Sequence, residues 1–176
     1  MRISLIIGLL LILWSCSSDK NADELLHKIK QQEEVLSEIS KDLRAGQVIP
    51  IEEQDKLVNL LTEFYHSYPE EEYAPVCLDK LHMIYSSIGE YNKSSAYGDT
   101  LLSQYTTYEN RPLILESMAV NYDMFIIPRD TNLVRTYYQM LLKEDEKMPK
   151  EKKEGILFKL NNLSLTMEEL ILKVNE

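Results

Sequence analysis

Apolar positions along this chain recur at three- and four-residue steps and almost nowhere alternate, which predicts helices rather than strands. Between residues 22 and 46, Leu25, Leu26, Ile29, Val35, Leu36, Ile39 and Leu43 share one side of a helix that Gly46 closes. Ile29, Leu36 and Leu43 are seven apart, but Gln32 interrupts that seam, so packing on the following helices is expected rather than a long coiled coil. A second helix is predicted over 51–67, with Leu57, Leu60, Leu61, Phe64 and Tyr65 inward and Tyr68-Pro69 as its stop. A third, over 71–87, carries Pro75 in its first turn, where a missing N–H costs least. Glu70, Glu71 and Glu72 stand at its positive end. Gly89 breaks the chain before a fourth helix, 90–105, and a fifth follows over 110–126 with Pro112 in its first turn. Asp130 is a good N-cap for a sixth over 131–147, and Pro149 opens a seventh to about 161. Thr166 with Glu169 reads as a capping box for a last short helix.

The start of the chain has a different pattern. Arg2 is its only charge before Asp19, and between them residues 3–14 form an apolar run of signal-peptide dimensions. A bilayer-spanning helix needs about 20 apolar residues, so this run is too short for a stable span. It ends in Leu13-Trp14-Ser15-Cys16, followed by Ser17-Ser18-Asp19. This resembles a bacterial lipobox: leucine three before a cysteine and a small residue just before it, with Trp14 as the departure. The resemblance implies a signal peptide over 1–15, acylation of Cys16 as the mature N-terminus, and a lipidated linker over 16–21. Ser17 in place of aspartate implies sorting to the outer membrane. Two or three acyl chains hold a protein on a bilayer stably.

The chain also matches itself at an offset of 37. Tyr68 maps to Tyr105, Pro75 to Pro112, Leu78 to Leu115, Leu81 to Met118 and Tyr85 to Tyr122. A period of that length suits two antiparallel helices and their turns. The stretch from Leu78 through Leu81, Tyr85 and Gly89 to Tyr91 resembles the tetratricopeptide repeat. Residues 64–74 are similar to the opening of repeats in periplasmic lipoproteins of the outer-membrane assembly and Tol–Pal-associated type. The resemblance implies an all-α fold, with antiparallel helix pairs stacked as a short right-handed solenoid. The repeat domain covers 51–147, flanked by the N-terminal amphipathic helix (22–46) and C-terminal capping helices (149–176). His82 and Gly98 stand where the repeat prefers a small residue and an aromatic, and Ile126-Ile127-Pro128 replaces the glycine turn in the second copy.

Composition narrows the function classes. Of 176 residues, 19 are basic and 29 acidic, a formal charge of −10, which argues against nucleic acid as a partner. Loss of Arg2 with the signal would make it −11. Cys77 is then the only unlipidated thiol and reads as a small buried hydrophobe, set about 140° around its helix from His82. No P-loop, nucleophile elbow or zinc motif is present. His27, His66 and His82 are scattered, so neither a catalytic nor a metal-ligating residue is assigned, no cofactor is expected, and an enzyme is not. All 11 tyrosines lie between Tyr65 and Tyr138. Tyr65, Tyr85 and Tyr122 fit the core register. Tyr73, Tyr91, Tyr97, Tyr108, Tyr137 and Tyr138 are hard to bury together, and tyrosine suits interfaces. Tyr73, Tyr91, Tyr97 and Tyr108 are the candidate partner-binding residues. The expectation is a scaffold held to the outer membrane through lipid on Cys16, which binds a protein or peptide of the cell envelope. The alternative is a self-associating or accessory subunit pairing through helix 22–46.

Overall fold

The helices form close to where the apolar period predicts them. The computed structural model describes the backbone of residues 3–44, 47–165, 169, 172 and 173, and the side chains from residue 20 onward within those spans. Its helices are α1 (Ile3–Asp42), α2 (Ile51–Ser67), α3 (Ala74–Ser87), α4 (Tyr91–Gln104), α5 (Arg111–Val120), α6 (Thr131–Glu144) and α7 (Lys150–Asn161), with a π-helical turn over Asn121–Phe125. Among the described residues there is no strand, so the fold is all-α.

Three boundaries differ most from the sequence reading, and α6 also ends at Glu144 rather than 147, where Asp145 caps it. One continuous helix, α1, replaces the separate apolar run, linker 16–21 and amphipathic helix. Neither proline nor glycine stands between Gly8 and Gly46, and a nucleated helix propagates through the weakly unfavourable serines. α3 starts at Ala74 rather than 71 because the preceding residues form turns: the Glu71 N–H donates to the Tyr68 carbonyl at 3.1 Å and the Ala74 N–H to that of Glu71 at 3.0 Å. α5 ends at Val120, and the Ile126 N–H closes a five-residue π-helical step onto the Asn121 carbonyl at 2.8 Å. Thr166 and Gly46 lie outside the described residues, as does the Cys16 side chain; the Cys16 backbone is part of α1.

The chain divides into two compact units, residues 1–81 and 82–176. In the first, α1 packs along α2, and Leu25, Ile29, Leu57, Leu61 and Phe64 are buried. Ala74, Cys77, Leu78 and Leu81 of α3 are buried too. Polar ties hold the helices: the Gln32 Nε2 donates to the Glu53 carbonyl at 3.0 Å, and Lys80 pairs with Glu33 at 2.8 Å. In the second unit α4, α5, α6 and α7 pack in chain order, with the π-helical turn against α4, α5 and α6. Leu101, Leu115, Met118, Val134 and Leu141 are fully buried there, each side chain contributing about 1.5–3 kcal/mol by leaving water.

The same backbone junction recurs. Tyr68 caps α2 with its N–H on the Phe64 carbonyl (2.8 Å), and 37 residues on Tyr105 caps α4 on Leu101 (2.9 Å). The next turn repeats as well, Glu71 onto Tyr68 (3.1 Å) and Tyr108 onto Tyr105 (3.2 Å). A third copy, unseen in the sequence, follows 40 residues later: Asp145 caps α6 on Leu141 (3.0 Å) and the Met148 N–H returns to Asp145 (3.2 Å). Phe64, Leu101 and Leu141, at matching places, are all buried.

Candidate functional site

Tyr73, Tyr91, Tyr97 and Tyr108 are each half-buried and do not form one cluster. Tyr73 lies in the first unit, edge-on to Phe64 with centroids 5.7 Å apart. Burial first, and then the Glu33 carboxylate that its hydroxyl meets, push its phenol well above the usual range. The other three lie in the second unit. Tyr97 stacks on Tyr85 at 5.5 Å, with the Lys93 ammonium 5.3 Å from the Tyr85 ring. Tyr91 stacks on Phe125 at 4.3 Å. The Tyr108 hydroxyl accepts from Asn110 at 3.3 Å. A further stacked pair joins Tyr122 to Tyr137 at 5.7 Å, and the Tyr137 hydroxyl donates to Asp99. Tyr137 and Tyr138, expected to resist burial, are buried: α6 turns both inward, one toward Asp99 and Tyr122, the other toward Lys159. Tyr65, Tyr85 and Tyr122 sit at the edge of the core rather than fully within it.

The histidine and cysteine take structural places. His82 is 1% exposed. Its Nδ1 lies 2.9 Å from the Ser94 carbonyl, which only accepts, so Nδ1 carries the proton and Nε2 accepts from the Ser117 hydroxyl at 2.8 Å. Ser94 donates to the His82 carbonyl at 2.9 Å, and Asn121 donates to the Ser94 and Ser95 hydroxyls at 3.3 and 3.4 Å. This network stitches α3, α4, α5 and the π-helical turn, with half-buried Ser117 at its edge. His66 is exposed against Tyr65. Cys77 is buried, and burial pushes its thiol up to about 12. Among the described residues no group of three His, Cys, Asp or Glu could hold a metal ion, and no helix is long and apolar enough to cross a membrane.

Two features of the second unit, a buried arginine and an exposed ridge, escaped the sequence reading. Arg111, buried at the start of α5, forks onto Glu144 of α6 through two bonds of 3.0 Å and donates to the Leu102 carbonyl at the end of α4 at 2.7 Å. The second is an apolar ridge at the end of the π-helical turn and just beyond it: Met124 is 49% exposed, Phe125 43% and Ile127 91%. Tyr91 flanks it through its stack on Phe125. Buried Asp123 anchors the ridge, accepting from Arg129 at 2.8 Å and Lys159 at 2.6 Å, while Arg129 also donates to the Leu163 and Leu165 carbonyls at 3.0 and 2.9 Å. The available signal was the unbroken apolar run 124–127 ahead of Pro128, too long for one helix face. No known protein family, curated protein or solved structure matches the chain.

Proposed function

We propose that this chain is a helical-repeat scaffold of a bacterial cell envelope, tethered to the outer membrane by lipid on Cys16, that binds another protein. The observation carrying the reading is the helix-to-helix junction repeated at Tyr68, Tyr105 and Asp145, which supports a short right-handed solenoid of antiparallel helix pairs in the tetratricopeptide manner. The lipid tether rests on Leu13-Trp14-Ser15-Cys16. The ridge of Met124, Phe125 and Ile127, flanked by Tyr91, is the part of the second unit best suited to a partner, since contiguous exposed apolar surface marks interaction sites. The net charge of −10 favours a partner that brings basic groups to the rim of such a contact.

The test is co-purification after gentle crosslinking in solubilised membranes. Wild type is expected to recover a partner and Ile127→Glu to lose most of it; recovery of the chain alone overturns the binding role. Incorporation of a labelled fatty acid, abolished by Cys16→Ser, tests the tether separately.

A further inference from the structure

In the first unit an open groove of about 990 Å³ runs between α1 and α2. Val35, Ile39 and Leu60 supply its apolar surface, with Val35 43% exposed, and Lys28, Glu38 and Lys56 stand at its rim. The inward seam of α1, led by Ile29, is already spent against the fold. We propose that the groove is a self-association face, in which α1 of a second copy lies antiparallel across it on a two-fold axis at Val35. This is independent of whether the repeats bind a partner.

The order of side chains on that face is the argument. Of the α1 positions lining the groove, Gln31, Gln32, Val35, Glu38 and Ile39 are disposed symmetrically about residue 35 at the 3.5-residue spacing of paired helices, while Lys28 reflects onto Asp42, one turn beyond Glu38, and Glu34 onto Leu36. Antiparallel pairing about Val35 sets Val35 against its own copy, the Gln31 stem against Ile39, and Lys28 against Asp42, while Glu38 falls beside Gln32, whose amide stays bonded to Glu53. No like charges meet along this face. A parallel pair would set Lys28 against Lys28 and Glu38 against Glu38. Moving the axis to residue 33 would bring Lys28 to Glu38, but also Glu24 to Asp42. A two-fold contact must be self-complementary, and the Val35 register alone of these three meets that condition. The Glu38–Lys41 pair does not oppose it, being an exposed pair of the kind worth little. The seam from Lys28 to Asp42 spans about 21 Å of helix. That is short for a standard interface, so association is weak and concentration-dependent.

The test uses the full chain in detergent micelles, with Cys16→Ser throughout and Cys77 left in its buried place. Val35→Cys is expected to form a disulfide-linked dimer under a mild oxidant. Ser37→Cys, exposed on the far side of α1, is expected to give several-fold less. Adding Lys28→Glu or Asp42→Lys to the V35C chain should each lower crosslinking several-fold. Mixing those two chains one to one should restore it, because each then meets an opposite charge at both ends. Equal crosslinking at 35 and 37, or a mixture no better than either charge variant alone, overturns the proposal. All four altered side chains face solvent, so the helix is retained, and far-UV circular dichroism of each variant verifies it.

Discussion

His82 and Gly98 are the positions where the sequence departs most from the repeat it resembles, and the structure makes them complementary. A Cβ built on Gly98 would sit 3.1 Å from the His82 Nδ1 and 2.5 Å from the Met118 sulfur. The bulk that a larger residue would supply on α4 is instead supplied from α3, and the missing side chain makes room for an imidazole with both nitrogens bonded. Gly98→Ala gains about 1 kcal/mol of helix propensity but overpacks a sealed site, which costs typically 1–3 kcal/mol. The expected net result is a loss of about 1 kcal/mol, read as a lower urea midpoint; a midpoint at or above wild type would mean that Met118 and His82 yield freely. Cys77 obeys the same burial logic. With its thiol pushed up to about 12, it is expected to react with a thiol reagent at pH 8 at least tenfold more slowly in the folded Cys16→Ser chain than in urea.

Single side chains also hold the helices to one another. Arg111 joins the end of α4, the start of α5 and the last turn of α6, so its removal would leave the Leu102 carbonyl without its cation and Glu144 without its fork. Arg111→Ala is expected to destabilise by about 2–4 kcal/mol in denaturant melts, while Lys41→Ala, at an exposed pair, changes stability by less than about 0.5 kcal/mol. Nothing in the sequence marked Arg111, because a lone arginine before a proline reads as a solvated helix start. The bounds of α2, by contrast, were legible to the residue, since Pro50 and Tyr68-Pro69 punctuate both ends. The recurrence of the Tyr68 junction at Tyr105 was legible because tyrosine, proline and leucine recur together at an offset of 37. The third junction was not: Asp145 and a spacing of 40 hide a turn whose bonds are all backbone, which any residue makes. The π-helical turn escaped because one inserted residue shifts the apolar period without erasing it. Of the candidate surface, the tyrosines were visible by count, and their stacking on one another was not, since it depends on which helices meet.

Across the whole molecule the buried phenols and thiol define a pH response. Burial, and then Asp99, push the Tyr137 phenol well above the ordinary 10; burial raises Tyr122, Tyr138 and Tyr73 in the same direction and the Cys77 thiol from 9.0 to about 12. Below about pH 8 folded and unfolded chains hold nearly all these protons, and the contribution to stability is full and constant. Above it the unfolded chain releases protons that the folded chain keeps, first from the thiol and then from the phenols, so stability falls as pH rises. The urea midpoint is therefore expected to respond to none of these groups between pH 7 and 8, to begin falling near pH 9 as the unfolded thiol ionises, and to drop steeply beyond pH 10. Tyr137→Phe separates one group from the rest. It loses the hydrogen bond to the Asp99 carboxylate, so at pH 7 it is expected to be less stable by about 1.5–3 kcal/mol. It also has no phenol to ionise in the unfolded chain, so that deficit should narrow between pH 10 and 11. A deficit that stays constant through pH 11 would mean that the Tyr137 proton takes no part in holding α6 to α4.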